Sequence, residues 1–298
     1  MANKLSRTLS IVAGFALVTA VQAAPAQAAA RPTGVLLLSG GGATHAVDVR
    51  SGRVIAEVGD GFDAAVSRRA SVAYGRDVDP CHPDVEGCFG AADLLTSSVA
   101  GTGERLLVHN PEAQGGVSDP DWSPDGALIV YSWHTPGERG LNLVRADGSG
   151  NEQIVSFSGP GTFAPSGRSV AFVKDGNLQV IDLGTRQVRQ VTSDGLAAWS
   201  APDWSPDGRF LVYAGESTFF VVPAAGGTPV AAAWPAMMHS VGSPVFSPDG
   251  RSVAFTATES FPDPDQPWVR RVFTAAVDGS RLTPVKDTYD EATDWFGL

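Results

Sequence analysis

The chain has 298 residues, with 32 acidic against 21 basic side chains and a formal charge of −11. This balance argues against nucleic acid or an anionic membrane surface as partner, since both call for clustered Lys and Arg. It fits cationic partners, metal ions or plain solubility.

The first segment reads as an export signal over residues 1–28. Lys4 and Arg7 form a basic start, Ile11 to Val21 an apolar stretch, and Ala26-Gln27-Ala28 a small-residue cleavage site. A membrane anchor would need roughly 20 apolar residues, about twice what is present. No Cys stands near the cleavage point, so the expectation is a secreted, extracellular protein without a lipid anchor or membrane insertion. Without the leader, 19 basic face 32 acidic residues and the charge is near −13.

Three short β-rich runs follow, Val35-Leu36-Leu37-Leu38, His45-Ala46-Val47-Asp48 and Val54-Ile55-Ala56-Glu57-Val58. Ser39-Gly40-Gly41-Gly42 lacks the Gly-Lys-Ser/Thr of a phosphate loop and reads as the turn between the first two. Next, Val66-Ser67-Arg68-Arg69-Ala70 leads into Ser71-Val72-Ala73-Tyr74. Cys81 and Cys88 come soon after, and in an oxidising compartment they are expected to close a local disulfide. The other reading, a metal site recruiting His82, has no second ligand pair.

From residue 121 onward a phrase repeats: Asp121-Trp122-Ser123-Pro124-Asp125-Gly126, Phe163-Ala164-Pro165-Ser166-Gly167, Asp203-Trp204-Ser205-Pro206-Asp207-Gly208 and Phe246-Ser247-Pro248-Asp249-Gly250. The aromatic anchors lie 41, 41 and 42 residues apart. A period near 40 with strand-like content is the mark of a β-propeller, one four-stranded blade per repeat. After Trp204 the remaining strands are Phe210-Leu211-Val212-Tyr213, Phe219-Phe220-Val221-Val222 and Pro229-Val230-Ala231. Pro presets φ, Asp bonds its own backbone and Gly takes the left-handed conformation, so the phrase is a turn. Asp125, Asp207 and Asp249 are therefore turn formers, and the aromatics are wedges between blades.

Near the end, Thr293-Asp294-Trp295 restates the inner-strand motif and then the chain stops. The fold class is thus all-β: residues 31–298 form one six-bladed β-propeller, its ring closed by one C-terminal strand joining three N-terminal strands.

The aromatic followed by Ser-Pro-Asp-Gly, an apolar strand and a polar turn such as Asp147-Gly148-Ser149 or Asp278-Gly279-Ser280 resembles the TolB-type, WD40-like (PD40) propeller repeat. The resemblance covers essentially all of residues 31–298 but not the separate N-terminal domain that precedes the propeller in the family's type member. It implies an exported protein that works largely by binding other proteins.

Propeller geometry places the segments between second and third strands on one face, with the connections between blades, and the Ser-Pro-Asp-Gly turns on the other. Two insertions, Arg76–Ala91 and Glu259–Arg271, and a third loop carrying Trp133, His134, Glu138 and Arg139 decorate the first face. There the candidate binding residues are Trp133, His134, Trp199, His239, Phe261, Trp268, Asp119 and Glu291. Any one of them could instead plug the channel or pack the rim.

No nucleophile elbow and no zinc-binding helix motif is present, and no catalytic residue is assigned. The leading expectation is a monomeric, non-catalytic module that binds an unknown protein or peptide and needs no cofactor. The alternative is a metal-dependent hydrolase or lyase acting on a lactone, phosphoester or sugar acid. Its divalent cation would sit at the channel mouth, among the inner-strand starts Asp60, Asp119, Gly161, Ser200, Gly242 and Glu291, of which three are acidic.

Overall fold

The computed structural model describes residues 32–40, 42–59, 61–79, 91–110, 115–135, 137–234, 238–260, 268–288 and 290–297. Cys81, Cys88, Phe261, Asp60 and the signal segment lie outside the described residues.

Six four-stranded antiparallel sheets follow one another, and each is a blade. Blade 1 pairs its inner strand Glu291–Phe296 with Val35–Gly40, Ala43–Asp48 and Val54–Gly59. The C-terminal strand therefore completes a sheet begun by the three N-terminal ones, with Val35 opposite Phe296 and Leu36 opposite Trp295. The inner strands of blades 2 to 6 are Phe62–Val66, Gly116–Trp122, Gly161–Phe163, Asp203–Trp204 and Met238–Phe246. Successive inner strands approach one another around the ring, the last one meeting blade 1. Full closure leaves no inner edge open to another chain.

The core is divided into six clusters, and each spans two neighbouring blades. Trp204 packs with Ala171, Val173 and Leu178 of blade 4 and with Leu211 and Tyr213 of its own blade. Trp122 lies between blades 2 and 3, Phe163 between 3 and 4, Phe246 between 5 and 6, and Trp295 between 6 and 1. These five aromatics are at most 8% exposed, as wedges should be. The seam between blades 1 and 2 differs. Val66 stands in the wedge position there and is only half-buried.

The Ser-Pro-Asp-Gly turns form one repeated network. Ser123, Ser205 and Ser247 donate their hydroxyls to Asp125, Asp207 and Asp249 at 2.7, 2.6 and 2.6 Å. The same hydroxyls accept the backbone N–H of Leu128, Phe210 and Ser252 at 2.8, 2.9 and 2.9 Å. Gly126, Gly208 and Gly250 have φ of 67°, 71° and 67°, which is the left-handed region that glycine enters without strain. The hydroxyl bonds and neighbouring N–H groups hold the Asp125 and Asp207 carboxyls below their usual range. The repeated carboxylates are thus committed to the turn.

Candidate functional site

The inner strands enclose a central cavity of about 840 Å³. It runs from the strand starts to the Ser-Pro-Asp-Gly turns. It also extends sideways between blades 1 and 2, past Val35, Leu37, Val58 and Val66. That is the seam where an aliphatic side chain replaces the aromatic wedge.

Carboxylates line the cavity in two tiers. The deeper tier consists of Asp121, Asp203 and Asp294, each one residue before a Trp wedge, on blades 3, 5 and 1. The corresponding positions on blades 2, 4 and 6 are Ala65, Thr162 and Val245. Each Asp reaches the next blade. Asp121 Oδ2 accepts the Phe163 N–H at 2.6 Å and the Thr162 hydroxyl at 3.0 Å. Asp203 Oδ2 accepts the Phe246 N–H at 2.7 Å, and Asp294 Oδ2 accepts the Val66 N–H at 3.2 Å. Asp203 Oδ1 also takes the N–H of its own Trp204 at 2.8 Å.

Alternate blades therefore supply an acceptor to the inner-strand N–H of the following blade, a group that has no strand beyond it to pair with. Withdrawal from bulk water raises the Asp121 carboxyl to about 7, Asp203 to about 8 and Asp294 to about 6, against the pull of those N–H donors.

The upper tier lies at the strand starts, on the face that bears the insertions. Asp63, Asp119 and Glu291 come from blades 2, 3 and 1. The inner strands of blades 2, 3 and 6 bulge there, and the residue three before the wedge turns left-handed. Asp63 has φ 52°, Asp119 48° and Ser243 47°. Bulges of this kind re-aim side chains at cavity rims, at a cost of about 1–3 kcal/mol for each residue in such a conformation. Removal from bulk water raises both Asp63 and Asp119. The Asp119 charge adds to the shift at Asp63, and the Glu291 charge adds to both. Glu291 Oε1 is ion-paired with Arg270 of blade 6, while Oε2 is buried without a partner among the described residues. Among the described residues no three His, Cys, Asp or Glu side chains converge on a point that would hold a metal ion.

The expected binding residues separate into distinct places. Asp119 and Glu291 belong to the upper tier of the channel. Trp133 and His134 are strand residues within Leu128–His134, not part of a loop, and Trp133 packs against the core shared by blades 2 and 3. Partial burial, then the charge of Arg139 opposite, keeps the His134 imidazole below the usual histidine range.

His239 and Trp268 are exposed and stack on each other, with ring centroids 5.9 Å apart, and His239 Nε2 lies 3.1 Å from the Ser260 hydroxyl. Trp199 sits in the connection from blade 4 to blade 5 and is 56% exposed, with the Arg139 guanidinium 5.2 Å above its ring. Phe157, not singled out from the sequence, is 61% exposed beside it and has φ 52°. Asp63, Asp121, Asp203 and Asp294 were likewise not assigned to the channel.

No protein-family model matches the chain. It is 28% identical over 138 residues to an uncharacterised protein of Agrobacterium fabrum, covering 41% of this chain and 46% of that protein. Over 176 residues it is 23% identical to the Tol-Pal system protein TolB of Francisella tularensis, covering 55% of this chain and 40% of that one. The chain thus spans less than half the length of these curated relatives.

Among solved structures, an Agrobacterium tumefaciens protein assigned as a TolB superposes with a TM-score of 0.64 at 17% identity, covering 89% of this chain and 92% of its own. The TolB of Acinetobacter baumannii gives 0.59 at 16% identity over 85% and 68%. A chain of a nidogen–laminin complex also gives 0.59, at 9% identity over 89% and 93%. The fold is accordingly a six-bladed β-propeller of the TolB type. A shared propeller does not carry one protein's activity to another.

Proposed function

We propose that this chain is an exported, non-catalytic binding propeller that engages a protein or cell-envelope partner through its insertion-bearing face. The observation that carries the reading is the display of Phe157, Trp199 and Trp268 at 61, 56 and 68% exposure on that face. The opposite face is occupied by the turn network. Exposed aromatic side chains held on a rigid scaffold make interface anchors, because they bury a large area and lose little rotamer freedom. The likeness to a Tol-Pal system protein supports an envelope setting. The basic-then-apolar leader over residues 1–28 supports export, and the acidity of the chain favours a protein partner over nucleic acid. The module is read as a monomer that needs no cofactor.

The test replaces Trp268, His134 and His239 together with alanine. Capture of a partner from envelope extracts should be lost while the melting temperature stays within about 2 °C, since surface substitutions away from packed features cost within about 0.5 kcal/mol. Unchanged capture by the triple variant would reject the face.

A second reading, a metal-dependent hydrolase or lyase at the channel mouth, would draw on Asp119 and Glu291 there, although the described acidic side chains do not converge on one point. Elemental analysis of protein purified without chelator decides it. One tightly held divalent ion per chain would favour the enzyme, and a metal-free chain of equal heat stability in chelator would favour the binding module.

A further inference from the structure

On the insertion-bearing face, a cleft of about 290 Å³ opens between blades 3 and 4, apart from the central channel. One wall is formed by Thr135, Gly137, Glu138 and Arg139 of blade 3, and the other by Asp175 in the turn between the second and third strands of blade 4. Phe157 and Trp199 provide the aromatic surface. Phe157 is a bulky residue held left-handed by the bond from its N–H to the Arg139 carbonyl at 2.8 Å, so its ring projects outward and does not turn into the core. Trp199 lies against Gly159, where an added Cβ would come within 3.3 Å of the indole.

The charges of the cleft select its occupant. The Arg139 guanidinium already rests on the Trp199 ring. Glu138 and Asp175 are exposed, and among the described residues neither side chain has an ion-pair or hydrogen-bond partner. Arg139 stacked on the indole and two unpaired carboxylates leave the lining of the cleft with one net negative charge, while the nearby Lys174 ammonium is turned to the Ser156 carbonyl at 2.9 Å. The acidic upper tier of the channel opens on the same face. A cationic side chain with an apolar stem complements the two unpaired carboxylates and the exposed Phe157 ring. Its head would sit between the carboxylates, and its methylenes would lie along the aromatic rings, as the stems of long cationic side chains do on apolar surface.

We propose that this cleft receives a lysine or arginine side chain from a basic segment of the protein partner, held between Glu138 and Asp175 against Phe157 and Trp199. The inference rests on the binding-module reading and gives that face a sector and a partner chemistry.

The test uses the full chain without its leader, labelled with ¹⁵N at the indole nitrogens, the Trp199 resonance being identified by its loss in Trp199→Phe. An acetylated tetra-arginine peptide is the probe, with tetraglutamate and chitotetraose as counter-probes. Tetra-arginine should shift the Trp199 resonance, with an apparent Kd at least fivefold weaker in Glu138→Gln/Asp175→Asn and weaker again in high salt. Both substitutions lie on exposed turns and should leave the melting temperature unchanged. If tetra-arginine shifts Trp268 and leaves Trp199 unmoved, this cleft is the wrong sector while the binding face stands. If chitotetraose shifts Trp199 and tetra-arginine does not, the basic-partner assignment is overturned. If no probe moves either indole, the proposal fails, and the capture experiment then decides the wider reading on its own.

Discussion

The carboxylate of Asp121, on blade 3, accepts the backbone N–H of Phe163, on blade 4, at 2.6 Å. Asp203 does the same for Phe246, and Asp294 for Val66. Every second inter-blade junction is thus pinned at the channel wall by a side chain that also precedes a Trp wedge.

Asp203→Ala should therefore destabilise the fold by about 1–3 kcal/mol, the cost of leaving a buried donor without an acceptor. Asp203→Asn keeps an oxygen acceptor and should lose less. Urea denaturation of both variants checks the order, and an alanine variant as stable as the parent would mean that water replaces the carboxylate.

The same three carboxyls give stability a pH dependence of definite sign. Their folded pKa values of about 7, 8 and 6 lie above the ordinary aspartate range, so the native state binds their protons more tightly than the unfolded chain. Their contribution is fully present below about pH 4 and is lost as the pH climbs through 6 to 8. Because the turn carboxylates Asp125 and Asp207 act in the opposite sense below that range, the comparison belongs between pH 5.5 and 8.5. The denaturation midpoint should fall across this interval, and the triple Asp121→Asn/Asp203→Asn/Asp294→Asn variant should show a flatter profile. A midpoint that rises with pH in the parent would contradict the argument.

Trp204 is 8% exposed, packs against two blades and donates its indole N–H to the Thr162 carbonyl at 3.2 Å. Trp204→Ala should cost about 3–5 kcal/mol, as large-to-small core truncations do. A chemical-denaturation shift below about 1 kcal/mol would refute its wedge role.

Val66 leaves the blade 1–2 seam open to the channel cavity, so Val66→Phe should raise the denaturation midpoint, worth about 0.5–2 kcal/mol for a filled cavity. A loss of stability would show that the neighbouring Val35, Leu37 and Phe296 have already closed around the smaller side chain.

The blade count and the closure by residues near Trp295 were legible in the sequence because the aromatic and its Ser-Pro-Asp-Gly turn recur at a fixed interval. The channel was not. Asp121, Asp203 and Asp294 stand before every second wedge, so a search at one-blade spacing meets Thr162 and Val245 in between and sees no pattern. Asp63 was hidden further: its blade has Val66 for an aromatic, and the bulge that turns it inward has no composition of its own. Trp133 misled for a different reason. Both faces of a blade are covered by neighbours, so strand alternation does not tell an inward side chain from a displayed one. Phe157 looked like an ordinary apolar residue, and the left-handed backbone that displays it is invisible in sequence.

Blade 1 joins Val35 to Phe296 across almost the whole chain. A contact of such separation is slow to form, since the entropy of closing so long a loop precedes any gain from pairing. Until Glu291–Phe296 arrives, the Val35–Gly40 strand has an unpaired edge carrying Leu36, Leu37 and Leu38, all fully buried in the finished ring. As the chain emerges, it therefore passes through a stage at which a strand carrying four consecutive apolar residues, Val35 to Leu38, is open to pairing with any other extended segment. The closing strand acts as the last stitch in assembly and as the chain's own protection against aggregation.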